Sequence, residues 1–149
     1  MKIALGADHA GLTLKNEVKR ALTEMQLTVT DFGTESETAV DYPDFARPVA
    51  DAVASGSHDL GILVCGSGVG MAIAANKIAG VRAANVLNVE SARLSREHND
   101  ANVLALAARV TAVPQALAIV RTFLDTSFAG GRHEQRVTKI TELERRRDI

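Results

Sequence analysis

Cys65 is the only cysteine in a chain of 149 residues, and it stands at the mouth of a glycine-rich turn. The apolar run Gly61-Ile62-Leu63-Val64 precedes it, and Gly66, Ser67, Gly68 and Gly70 follow. Glycines let backbone amides approach a ligand closely, and a helix start adds partial positive charge. A strand, a glycine turn and a helix in that order form a cradle for a phosphate or an oxyanion. Such surroundings favour the thiolate, the form of cysteine that acts as nucleophile or base. The same residues also read as a buried core cysteine beside a tight turn. Two other uses of the turn fail on spacing. Residues 66–71 read G-S-G-V-G-M, so the third glycine of a dinucleotide fingerprint is one place early, and the G-K-[ST] of a P-loop is absent.

Other clusters carry chemistry of their own. Asp8 and His9 lie in GADHAG, where an Asp could cap a helix or face a ligand. His98, Asn99 and Asp100 stand together in SREHNDANVL, either as ordinary C-terminal helix chemistry or as part of a site. Arg132 and Arg136 follow Gly130-Gly131 at i, i+4 spacing, which places both guanidinium groups on one helix face. Two forked cations beside a helix start suit a phosphate group, and a solvated helix face is the other reading. His58, in SGSHDLG, reads as a surface turn residue. His133-Glu134-Gln135-Arg136 is not the H-E-x-x-H of a zinc protease.

The elements that must position these residues alternate. A buried strand is expected at 2–6, and further strands at 28–32, 60–65, 82–86 and 102–106. Helices are expected at 10–26, from Pro43 to about Ser55, at 69–78, 89–98 and 114–125, and as a charged tail at 132–147. Leu14, Val18, Leu22 and Met25 mark the buried face of the first helix. Strand–helix alternation without repeats implies one α/β domain, a parallel sheet with helices on both faces. In such sheets ligands bind outside the carboxyl ends of the strands. Asp8-His9 and Arg109 follow expected strand ends, and Cys65 closes the third expected strand.

Composition narrows the function. A formal net charge of -1 and only five aromatic residues, Phe32, Tyr42, Phe45, Phe123 and Phe128, offer little for nucleic acid or a membrane surface. One cysteine excludes an internal disulfide and a multi-cysteine metal site. No signal-like start and no apolar run of spanning length occur in the sequence, so a cytoplasmic protein is expected.

Taken together, GADHAG (6–11), DYPDFA (41–46), CGSGVGMAIAANK (65–77), GVRAA (80–84), LSREHNDANVL (94–104), Arg109 and GGRHEQRV (130–137) resemble the sugar-phosphate isomerase family of type B ribose-5-phosphate isomerase and the galactose-6-phosphate isomerase subunits. The motifs occur in the family's order and span nearly the whole chain. The resemblance implies a Rossmann-like α/β/α sandwich with a five-stranded parallel sheet of order 2-1-3-5-4. It implies a homodimer, or a dimer of dimers, with active sites at the subunit boundary. It also implies interconversion of an aldose phosphate and a ketose phosphate with no metal or organic cofactor, and the leading expectation is isomerisation of ribose 5-phosphate and ribulose 5-phosphate.

By that likeness Cys65 is the base that moves the proton between C1 and C2, and the turn amides with Ser67 hold the enediolate. His98 assists ring opening. Asp8 and Tyr42 contact sugar oxygens, and Asn99 contacts the reacting end. His9, Arg109, Arg132 and Arg136 bind the phosphate.

Three positions depart from the family pattern: Ser67 where Thr is frequent, Ala107 where Gly is common, and 85–91, which lacks a frequent Pro-Tyr pair. Allose 6-phosphate, galactose 6-phosphate and a four-carbon sugar phosphate are therefore alternative substrates. A non-catalytic sugar-phosphate sensor is the alternative of another class. Val137, Ile140 and Leu143 give the tail helix an apolar stripe that could cover its own domain or a partner.

Overall fold

The computed structural model describes residues 1–145. Five strands, β1 (Lys2–Ala7), β2 (Thr28–Asp31), β3 (Leu60–Cys65), β4 (Ala83–Asn85) and β5 (Val103–Ala107), form one parallel sheet. The order is β2-β1-β3-β5-β4, the order that the family resemblance implies. The helices are α1 (Leu12–Glu24), α2 (Tyr42–Ala54), α3 (Val69–Ala75), α4 (Val89–Asn99), α5 (Val113–Asp125) and α6 (Arg132–Glu144).

Both faces of the sheet are buried, and side chains alternate between them as the two-residue strand period requires. One face carries Ile3, Leu5, Ile62, Val64, Leu104 and Leu106 against α1 and α5, with Ala92 of α4. The opposite face carries Ala4, Leu63, Cys65, Val103 and Ala105 against α2 and α3. That second face is built of small residues. A Cβ at Gly6 or Gly61 would come within 2.9 Å of the Val49 side chain, so α2 can lie close only because glycine occupies both strand positions.

The expected elements all form, with shifted ends. The expected helix 10–26 begins instead as a single 3-10 turn at His9–Gly11, and regular α-helix covers only Leu12–Glu24. The cause is Asp8, whose Oδ1 accepts the Gly11 amide at 3.1 Å and tightens the entry. The turn then sits directly on β3, since a Cβ at Gly11 would fall 2.4 Å from the Val64 carbonyl oxygen. The tail helix is regular to Glu144, and positions 146 and 147 of the expected span lie outside the described residues.

The chain leaves β1 toward β2 on one side, while β3 stands on its other side. The crevice between the carboxyl ends of β1 and β3 is therefore the topological switch point, where ligands bind in this architecture.

Candidate active site

β1 and β3 deliver the first residues. Their ladder ends with Ala7 opposite Val64, and the Asp8 amide continues it by donating to the Val64 carbonyl at 3.2 Å. This brings Asp8 beside the end of the strand that carries Cys65. The cysteine is buried within the α2/α3 face, so the core reading of the sequence holds as far as burial goes. It also lines a cavity of about 200 Å³. The cavity walls are Asp8, His9, Ala10, Tyr42, Cys65, Gly66, Ser67, Gly70 and Arg109.

The turn is built around the sulfur. The Gly68 amide donates to Cys65 Sγ at 3.1 Å, and the Val69 amide donates to Ser67 Oγ at 3.2 Å. Gly68 has φ +77°, a left-handed conformation that glycine adopts without strain. Gly66 has a different task. A Cβ there would lie 2.9 Å from Cζ of Arg109, so the bare glycine lets the guanidinium lie against the turn. The Arg109 amide donates to the Gly66 carbonyl at 3.0 Å and fixes the residue at the carboxyl end of β5. Tyr42 closes another wall, with its ring over Gly70. His9 is oriented through Nδ1, which accepts the Val40 amide at 3.1 Å and leaves the other ring nitrogen to carry the proton.

The remaining expected site residues lie elsewhere. His98 and Asn99 end α4, which feeds β5 from its amino end, whereas Cys65 pairs with Ala107 at the carboxyl end. From Val103 to Ala107 the strand climbs about 13 Å, at roughly 3.3 Å per residue. Arg132 and Arg136 travel with His98, because the His133 ring between them stacks on the His98 ring at 4.2 Å. One chain therefore holds two separate groups. Asp8, His9, Tyr42, Cys65, Ser67 and Arg109 share the cavity, and His98, Asn99, Arg132 and Arg136 sit at the β4 side of the molecule.

The second group is stiffly held. Arg82 Nε donates to the Asn99 and Asp100 carbonyls at 3.1 and 2.9 Å. Arg82 and Arg96 both pair with the Asp100 carboxylate at 3.4 Å. Asp100 itself ends α4 with φ 47°. Burial comes first in lowering Arg96, whose guanidinium lies 5.4 Å from the Phe123 ring and whose Nε donates to the Thr126 carbonyl at the end of α5 at 3.1 Å.

Sequence reasoning missed this clamp, and it missed a second one. Lys15 is fully buried, and its Nζ donates to both Asp31 oxygens, at 2.8 and 2.9 Å, and to the Thr34 carbonyl at 2.6 Å. Burial alone would raise the Asp31 carboxyl. Hydrogen bonds from Lys15, Gly33 and Lys19 outweigh that and hold it below its ordinary value. This clamp ties down the start of the loop whose Val40 amide orients His9. The signal was present, since Lys15 shares the apolar face of α1 with Val18 and Leu22. His58 is another correction. It is half-buried, its Nε2 is 2.8 Å from Thr30 Oγ1, and its ring meets Phe32 edge-on. Among the described residues no group of three His, Cys, Asp or Glu could hold a metal ion, and no helix is long and apolar enough to cross a membrane.

Residues 3–140 match the family model described as Ribose/Galactose Isomerase. The chain belongs to that family. Within the ribose/galactose isomerase family, it is 51% identical over 147 residues to ribose-5-phosphate isomerase B of Escherichia coli, covering 99% of each chain. It is 43% identical over 142 residues to D-erythrulose-4-phosphate isomerase of Pectobacterium atrosepticum, covering 94% of this chain and 93% of that one. The crystal structure of ribose-5-phosphate isomerase B from Mycoplasma genitalium with bound ribulose-5-phosphate superposes with a TM-score of 0.94 at 45% identity, covering 97% and 96% of the two chains. The family resemblance carried by the seven motifs and the Rossmann-like fold it implied are both borne out.

Proposed function

We propose that this chain is an aldose–ketose isomerase that interconverts ribose 5-phosphate and ribulose 5-phosphate through an enediolate. The observation that carries the proposal is Cys65 at the wall of the switch-point cavity, with the Gly68 amide 3.1 Å from its sulfur. Isomerisation needs a base at a carbon-bound proton and donors aimed at the developing enediolate charge. In this reading the Cys65 thiolate removes the proton from C2 and returns it at C1. The amides of the 66–70 turn and the Ser67 hydroxyl hold the oxyanion. Asp8 and Tyr42 bind sugar hydroxyls, and His9 and Arg109 bind phosphate at the far end. Binding energy at that unreactive end orients the carbon chain over the sulfur.

His98, Asn99, Arg132 and Arg136 complete the reaction from a second copy of the chain, as a homodimer with shared sites. The separation of the two residue groups within one chain supports this arrangement. So do Ile140 and Leu143 of α6, which are 39% and 58% exposed although their helix packs on α4. An exposed apolar stripe beside borrowed catalytic residues fits a partner surface. His98 then opens the sugar ring, Asn99 contacts the reacting end, and the two arginines grip the phosphate.

A second reading keeps the chemistry and changes the sugar. Similarity to a D-erythrulose-4-phosphate isomerase leaves a four-carbon substrate in contention. The test is to incubate the purified protein with ribose 5-phosphate and excess chelator and to follow ribulose 5-phosphate, with erythrulose 4-phosphate in parallel. Rapid metal-independent conversion of the pentose supports the proposal. Turnover of the tetrose alone supports the second reading, and binding without turnover of either sugar points to a sensor.

A further inference from the structure

His133 has no part in the chemistry set out above, yet it is the residue of α6 most deeply buried, at 8% exposure. Its ring lies on the His98 ring with centroids 4.2 Å apart and planes 12° from parallel. His98 belongs to α4 and His133 to α6, so the stack bridges two elements joined by a connection of more than thirty residues.

We infer that His133 is a positioning residue for His98, a flat platform that fixes the plane of the ring-opening imidazole. The inference rests on the proposed function, in which His98 acts on the sugar. A side chain on a helix end has two free torsions. Burying one face of its ring against a rigid neighbour removes most of that freedom and leaves the ring edge, with its nitrogens, to face the substrate. The platform works only while it is neutral, because two imidazolium rings at this distance repel. The surroundings keep it so. Burial first, then the charges of His98, Arg132 and Arg136, hold the His133 imidazole below its ordinary value, with Glu97 opposing. The arginines beside it therefore have two effects: they present charge for phosphate and they discourage a proton on the platform.

The experiment compares full-length wild type with His133→Ala, His133→Phe and His98→Ala, using ribose 5-phosphate as substrate over a range of pH. His133→Ala is expected to lower kcat about tenfold, with KM changed less than about twofold, since orientation and not binding is lost. His133→Phe restores a flat neutral ring, so kcat returns to within about threefold of wild type. Wild-type kcat in His133→Ala, together with an inactive His98→Ala, overturns the inference alone. Full turnover in His98→Ala sinks the underlying role of His98 instead. Side-chain NMR of the histidines guards against a variant that fails to fold. At one fixed pH the His98 ring-proton signals should shift in His133→Ala, where the ring current of the stacked neighbour is lost, and return toward their wild-type positions in His133→Phe. His98 ring-proton signals unmoved in His133→Ala overturn the inference.

Discussion

The amide of Gly68 points at the sulfur of Cys65 from 3.1 Å. That backbone donor sits in a turn whose Gly66, Ser67 and Gly70 line the same cavity as the sulfur. In the proposed mechanism, base and oxyanion donors are parts of one short loop. Replacing Cys65 with Ala should lower kcat for ribose 5-phosphate by about a thousandfold or more, in the range a positioned base contributes. Sugar-phosphate binding, measured by calorimetry, should survive. Full activity in Cys65→Ala would remove the cysteine from the mechanism.

Gly68 itself cannot be replaced at small cost. An alanine Cβ there would lie 2.5 Å from Asn85 Oδ1, in a backbone conformation with φ +77°. The conformation alone costs roughly 1–2 kcal/mol for a non-glycine residue. Gly68→Ala should lower the melting temperature and turnover together. An Asn85→Ala partner substitution should recover only part of the loss, because the Leu106 backbone also crowds the site at 3.1 Å.

Sharing of residues between copies can be read by complementation. Cys65→Ala and His98→Ala should each be inactive alone. Co-expressed, half of randomly formed dimers are mixed, and each mixed dimer rebuilds one of its two sites. About a quarter of wild-type activity should return. A mixture that stays inactive would mean that each chain completes its own site.

The buried pair Lys15 and Asp31 predicts a stability effect. Asp31→Ala leaves the Lys15 ammonium buried with the Thr34 carbonyl and a distant Glu35, 3.7 Å away. The expected loss is about 3 kcal/mol or more, measured by urea unfolding. The pH dependence has a definite sign. The folded Asp31 carboxyl is held below its ordinary value of 3.8, so the pair contributes fully above that pH and fades as pH falls through the lower folded value. Acid unfolding of Asp31→Ala should lack that component.

His133 acts in the opposite sense to the usual histidine ion pair. Its folded value lies below the ordinary 6.5, so on acidification the unfolded chain takes up the proton first. Stability from this residue is complete above about pH 6.5 and declines as pH falls from there toward the folded value. Thermal melts at pH 8 and pH 5 should show a larger acid loss in wild type than in His133→Phe. Equal losses would remove His133 from the pH response.

The order of short strand-like runs and helical segments determined the parallel sheet: β1, β3 and β5 are apolar runs, and helix-period segments separate the strands. Residues adjacent in the chain were also legible, since Cys65, Gly66, Ser67, Gly68 and Gly70 belong to one turn whatever the rest of the fold does. Asp8, His9 and Arg109 could be joined to them because each follows a strand, and parallel strands end on one side. His98 could not be assigned a place by the same logic. It precedes a strand, and only the folded sheet puts that strand's beginning at the far end from Cys65. Arg132 and Arg136 follow the last strand by more than twenty residues, a length that fixes no position. Their place is decided by α6 lying on α4, through the contact of His133 with His98. The lysine clamp was hidden for a related reason. A lysine on an apolar helix face carries no label of its partner, and the partner, Asp31, comes near only when β2 pairs with β1. Local spacing determined which residues share a turn, and long-range packing decided which turns share a site.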